Sequence, residues 1–201
     1  MNFMNSSSES RHITKAEINE LPMRQYEGPI HLCRTAAEAE HAVRQLEQET
    51  LLGFDTETRP AFRRGESYDP SLLQLASAKE VYLFQLQQTG LTEGICAILS
   101  NPNIIKAGVA IERDITELQE LEVFDPAGFV ELATHAKQAN IKNLGLRGLT
   151  AILLGFRISK KEQVSNWARQ DLTESQQTYA ATDAWLGHKI YRHFEQDGVI
   201  R

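Results

Sequence analysis

Acidic side chains at the end of an apolar run are the first residues in this sequence with chemistry to offer. Leu51-Leu52-Gly53-Phe54 reads as a buried strand, and it runs straight into Asp55-Thr56-Glu57-Thr58. In an extended chain residues two apart share a side, so Asp55 and Glu57 present two carboxylates to one place at the edge of the core. Such a pair suits a hard divalent cation; a solvated strand terminus has the same appearance. Two later segments hold candidate companions. Asp114 falls in the first turn of a helix that follows a strand ending at Gly108, a position where the helix dipole alone favours an acid. Tyr179 and Asp183 are four apart and so share one helical face; the ordinary counterpart is a half-buried aromatic with a surface acid nearby.

The elements that must position these groups follow from pattern. Residues up to about Gly28 carry Ser, Asn, Glu and Lys with little periodicity and are expected to form a flexible tail, residues 1–28, ahead of one domain spanning 29–201. Pro29 to Cys33 predicts a short edge strand. Thr35 with Glu38 forms a capping-box pattern before Ala36, Ala39, Val43 and Leu46 at helical spacing. After the opening strand, a Pro- and Gly-containing loop, basic in its first half, leads to Leu72–Ala76 and Val81–Phe84, which predict an antiparallel meander with it. Thr92 to Leu99 predicts a helix and Ile104 to Gly108 a further strand. Ile111, Ile115, Leu118 and Leu121 mark a helical face. Val123-Phe124 predicts a last short strand, with Asp125 capping a helix over 127–137. Leu144 to Leu154 predicts one helix ended by Gly155, and Thr173 to Gln196 a long final one on which Ala180, Ala181 and Ala184 allow close approach to a sheet. Strands in a run followed by strands alternating with helices give an α/β or mixed fold with a central sheet.

Composition limits the alternatives. The 201 residues are 41% hydrophobic and 24% charged, as in a soluble globular domain, and no apolar run is long enough to span a membrane. Neither a secretory signal nor a nucleotide-cofactor loop is present. Cys33 and Cys96 lie far apart without metal-type spacing, which predicts free thiols and a cytoplasmic location. A net charge of −6 argues against coating nucleic acid by bulk electrostatics, but says little about a cleft whose acids are neutralised by bound cations.

Taken together and in this order, Phe54-Asp55-Thr56-Glu57, the Gly108 to Asp114 segment and Tyr179-x-x-x-Asp183 resemble the three exonuclease motifs of the DEDD superfamily, in its tyrosine-bearing branch. Leu72-Leu73-Gln74-Leu75-Ala76, Leu153-Leu154-Gly155 with Ser159-Lys160, and Ser165-Asn166-Trp167 strengthen the likeness to ribonuclease D and the Werner-syndrome exonuclease domain. The resemblance covers about residues 30–195. It implies a ribonuclease H-like fold, with the antiparallel meander extended by parallel strands and flanked by α-helices. It also implies 3′-5′ exonuclease activity on single-stranded or frayed 3′ ends of DNA or RNA, with two divalent cations, Mg²⁺ or Mn²⁺. By the same resemblance Asp55 bridges both metals, Glu57 and Asp183 hold the one that binds the nucleophilic water, and Asp114 serves the second. Tyr179 orients the attacking water; with an ordinary tyrosine pKa of about 10 it is a poor base at neutral pH.

Substrate contacts are expected from Thr56, Arg59, Arg63, Arg64 and Gly108 around the first two motifs, and from Lys160 and Lys161 before the third. Most of these basic residues individually have a solvated surface as their alternative. Phe62 and Tyr68 offer stacking faces for a base, whereas Trp167 suits packing and His135, without a partner at useful spacing, reads as structural. The rival from another class is a nucleic-acid-binding or partner-docking module that keeps the fold without the activity. Ribonuclease D proteins usually add helical RNA-binding domains after the catalytic one, and Arg201 follows the last helix closely here, so processivity and targeting are expected to come from the tail, an oligomer or another protein, or to be lacking.

Overall fold

The computed structural model describes residues 10–200. Its centre is a six-stranded sheet in the order β1-β4-β3-β2-β5-β6. The strands are β1 (Ile30–Cys33), β2 (Leu51–Thr58), β3 (Pro70–Ala76), β4 (Val81–Gln85), β5 (Ile105–Gly108) and β6 (Phe129–Glu131). The expected meander is present, β2 pairing antiparallel with β3 and β3 with β4. Parallel pairings extend it on both sides: β1 along β4, which makes β1 an edge strand as its sequence predicts, and β5 and β6 beyond β2. With β2 and β3 both central, their apolar residues are covered on both faces, and β3 is buried along its whole length.

The period-2 alternation of β2 divides its side chains between two cores. Leu52 and Phe54 join Leu73, Leu75 and Phe84 on the face covered by α2 (Ala36–Leu46), the short α3 (Leu86–Thr89), α4 (Glu93–Ser100) and α5 (Glu112–Leu121). Leu51 and Gly53 face the other way, where Leu72, Ala76 and Leu83 pack on Ala180, Ala181 and Ala184 of α8 (Glu174–Gln196). Asp55 and Glu57 continue on this α8 side. The alanines do what their size predicts, and two glycines take the approach further. A Cβ on Gly53 would land on the backbone carbonyl oxygen of Ala184, and one on Gly187 on that of Ala107. Helix backbone therefore lies directly on strand backbone where β2 turns acidic.

Three local expectations meet a different arrangement. Val123-Phe124 is not a strand, and no helix starts at 127: Phe124 is buried in the α5 side of the core while its carbonyl accepts from the Gln119 side chain. Gly128, at a positive φ of 68°, then turns the chain into β6, and α6 (Leu132–Gln138) begins only after it, capped by Glu131 rather than Asp125. The Glu131 carboxylate accepts from the backbone N–H groups of Ala133 and Ile111, 2.9 Å each, so one acid ties α6 to the start of α5. The helix expected over 144–154 is a four-residue turn, α7 (Leu146–Leu149), running into a π-helical segment, Thr150–Leu154, that Gly155 ends in the left-handed region as predicted.

The third difference is at the N-terminus. Residues 10–28, expected to trail loosely, lie against the domain: α1 (Lys15–Glu20) carries a capping box from Thr14 and Glu17, and isolated bridges join Arg11 to Ile141 and Met23 to Arg157. Tyr26 is buried beside Trp185. Only Ile18 and Tyr26 of this stretch are buried, too sparse a pattern to register as periodicity. The part of the expected tail over residues 1–9 lies outside the described residues.

Candidate active site

Position on α8 is set at both ends of its acidic stretch. Thr173 caps the helix and Gln176 completes the box, while the Gln176 amide donates to Ser165 Oγ (3.0 Å) and the Asn166 carbonyl (3.2 Å). Further along, the Gly53 and Gly187 contacts seat the helix on β2 and β5. Asp183 comes to lie over the end of β2, where a ligand oxygen from each of Asp55, Glu57 and Asp183 falls within 4.8 Å of the others.

None of these three acids is in an ion pair among the described residues, and Asp183 Oδ1 is buried without a hydrogen-bond partner. Burial, then the Asp183 and Asp114 charges, push Asp55 well above the usual carboxylate range. Burial and the neighbouring acids push Glu57 up to about 10, and burial lifts Asp183 to about 7 against a hydrogen bond from Tyr179 that opposes the rise. Converging hard oxygen donors with an orphaned buried oxygen are what a divalent cation requires, so the residues present fit one.

Asp114 arrives from the opposite face of the sheet. It stands in the first turn of α5, outside the close cluster of three, and accepts a hydrogen bond of 2.5 Å from Thr56 Oγ1. Thr56 lies between the paired acids in sequence but points away from them, so its hydroxyl links the α5 side of the site to β2; its N–H also donates to Asp55 Oδ1 (3.0 Å). Tyr179 sits one turn before Asp183 and packs against buried Trp167, ring centroids 5.9 Å apart. Burial and the nearby carboxylates raise its pKa further, which makes the hydroxyl a donor and not a base.

Two cavities flank the acids. One, of about 370 Å³, is lined by Thr56, Arg59, Tyr68, Arg113 and Asp114, with the Arg59 guanidinium 4.7 Å from the centre of the Tyr68 ring. The other, of about 330 Å³, is lined by Ser159, Thr178, Tyr179, Thr182, Asp183 and Arg24. Of the basic residues singled out from sequence, Arg59 reaches the first cavity; Arg63, Arg64, Lys160 and Lys161 line neither. Gly108 is not open to a ligand: a Cβ there would meet the Phe54 carbonyl oxygen and Ile111 Cγ2, both at 2.5 Å, so its size serves the packing of β5 and α5 against β2. Arg24, Arg113 and Thr182 went unremarked in the sequence. Thr182 adjoins the Asp183 motif and was within reach of that signal, whereas nothing local distinguishes Arg24.

A ribonuclease H-like sheet with partly buried acids gathered at the end of its central strand is the architecture of nucleases that cut phosphodiesters with bound metal ions. The sequence matches the 3′-5′ exonuclease family over residues 30–198, and the chain belongs to that family. It is 34% identical over 184 residues to the bifunctional 3′-5′ exonuclease/ATP-dependent helicase WRN of Mus musculus, covering 86% of this chain and 13% of that protein. Among solved structures, the Aedes aegypti Nibbler EXO domain superposes with a TM-score of 0.76 at 23% identity, over 86% of this chain and 91% of that one. Trypanosoma brucei RNase D in complex with RNA U12 gives 0.72 at 19% identity, over 83% and 62%. No helix among the described residues is long and apolar enough to cross a membrane.

Proposed function

We propose that this chain hydrolyses phosphodiester bonds at the 3′ end of single-stranded or frayed nucleic acid, with two divalent cations, Mg²⁺ or Mn²⁺, held by its acids. The observation that carries the reading is the convergence of Asp55, Glu57 and Asp183 with no cationic partner among the described residues. Asp55, Glu57 and Asp183 would hold one ion. Asp114, braced by Thr56, would help to hold the second. When bound, the pair supplies acidification of a water and neutralisation of the departing 3′ oxygen. Tyr179 donates its hydroxyl toward Asp183 and keeps an attacking water in line. The buried alanine and leucine wall behind the acids excludes bulk water, which strengthens each of these electrostatic contacts.

Arg59 and Tyr68 line the cavity on the Asp114 side, which supports their meeting a phosphate and a base or sugar. The RNA found with the Trypanosoma brucei relative makes RNA one substrate to test, with DNA beside it. Two free thiols, Cys33 and Cys96, agree with placement in the reducing cytoplasm.

The test is an assay on end-labelled oligonucleotides of DNA and RNA with Mg²⁺, Mn²⁺ or chelator, alongside Asp55→Ala. Stepwise shortening from the 3′ end is expected only with metal and the intact acid. Shortening that persists in chelator or in the variant overturns the metal mechanism; if nothing is cut under any condition, the chain is a binding module on the same fold.

A further inference from the structure

The segment ahead of β1 is pinned at two points, on Arg157 and on Thr182 of α8, and Arg24 belongs to the first. On one side, Arg24 N–H donates to the Arg157 carbonyl (2.9 Å), Arg157 N–H to the Pro22 carbonyl (2.9 Å), and Arg157 Nε to the Leu21 carbonyl (3.0 Å). On the other, Tyr26 N–H donates to Thr182 Oγ1 (3.0 Å), the residue before Asp183, and the Tyr26 hydroxyl donates to the Lys79 carbonyl (2.9 Å). The backbone of residue 24 is therefore held by bonds that owe nothing to its side chain.

That side chain is exposed, takes part in no ion pair among the described residues, and rests with its guanidinium carbon 5.8 Å from the Phe156 ring centre. Among the described residues it is the only basic one lining the cavity that contains Tyr179 and Asp183, whose wall also carries the acids Glu162 and Glu174. A further cavity, of about 260 Å³, continues past Arg24 to Trp185 and Lys189. An anionic strand entering beside Tyr179 meets acids along that wall and one guanidinium, which is carried on an anchored backbone and rests near the Phe156 ring, so part of its freedom is already given up before it meets a phosphate.

We propose that Arg24 is a substrate-binding residue, and that residues 21–26 form a strap which adds a phosphate contact to the α8 side of the active site. This rests on the exonuclease reading. It concerns a segment outside residues 30–198, the part that matches the family.

The experiment compares the full chain with Arg24→Gln and Arg24→Lys on a 3′-cleavable single-stranded oligonucleotide over a range of salt. Arg24→Gln is expected to raise KM roughly fivefold with kcat within about twofold, as for loss of a positioning contact to phosphate. The slope of log KM against log salt should shrink by about 0.7, the counterion share of one phosphate on a single strand. Arg24→Lys should keep most of the affinity and the slope. Unchanged KM and slope in Arg24→Gln overturn the proposal, and so does a fall in kcat at constant KM. Thermal melting checks that the strap is intact; should Arg24→Gln melt early, Arg24→Glu against Arg24→Lys decides by whether charge reversal alone weakens binding. If the wild-type chain cuts nothing, the exonuclease reading fails by itself. Fluorescence anisotropy of the labelled oligonucleotide then tests the contact, equal affinity of wild type and Arg24→Gln again overturning it.

Discussion

Substituting Gly53 by alanine tests how the acids are brought together, because the perturbation is one methyl group at a backbone-to-backbone contact. The new Cβ would lie on the Ala184 carbonyl oxygen, 2.9 Å from the carbonyl carbon and 2.8 Å from the His188 nitrogen. Carbon atoms rest at ~3.5 to 4.0 Å from such neighbours, so clearing the Ala184 oxygen requires α8 to withdraw by roughly 1.5–2 Å at this point. Neither neighbour is a flexible side chain, and overpacking of this kind costs about 1–3 kcal/mol. For a domain of this size that lowers Tm by roughly 3–10 °C. Asp183 rides on the same helix, one residue before Ala184, and a misplacement of ~1 Å costs on the order of a hundredfold in rate. Thermal melting and the end-labelled cleavage assay read the two effects separately, with Gly145→Ala, around whose Cβ nothing lies within 4 Å, as the control. If Gly53→Ala melts and cuts like the wild type, the close-approach reasoning is wrong. A lowered Tm with full activity would refute the narrower claim that helix seating sets the carboxylate cluster.

Asp55→Asn should melt higher than the wild type in chelator: burial and the neighbouring acids hold Asp55 well above the usual carboxylate range, so the metal-free fold must either take up a proton or keep a repelled charge there, and a neutral amide avoids both. Adding Mg²⁺ or Mn²⁺ should reverse the order, the wild type gaining about 2.7 kcal/mol at a hundred times its Kd; an equal gain in the variant would remove Asp55 from the ligand set. Tyr179→Phe should lower turnover severely while metal-induced melting shifts stay as in the wild type, and loss of those shifts would mean the hydroxyl helps to hold metal. His188, which burial pushes down to about 4, is neutral when folded, so its contribution is complete above pH 6.5. Acidification from about 6.5 to 4 protonates the unfolded chain first and removes about 3 kcal/mol; His188→Gln should flatten that part of a melting-versus-pH curve, and an unchanged curve would assign the acid sensitivity elsewhere.

Much of the architecture was legible because its causes are local. Thr35 with Glu38 and Thr173 with Gln176 are capping boxes within a single turn, and both open helices where their spacing predicts. The alternation in β2 and the short turn between β3 and β4 fix which side chains share a face and how adjacent strands pair. β6 was not legible. Its three residues, Phe129–Glu131, are all half-buried and extended because β5 pairs with them, while Val123-Phe124 carries the stronger apolar signal and has no strand beside it. Glu131 likewise shows its use only when α5 and α6 are adjacent.

For the site, the sequence by itself determined the identity and order of the acids, and that Asp55 with Glu57, and Tyr179 with Asp183, each share a face. Periodicity reaches no further than one element, since it says nothing of the distance between groups more than a hundred residues apart. Only the tertiary structure decided that Gly53 and Gly187 seat α8 closely enough for Asp183 to join the pair on β2. It also decided that Asp114 approaches from the other face through Thr56, and that a polar N-terminal segment carries Arg24 to the same cleft.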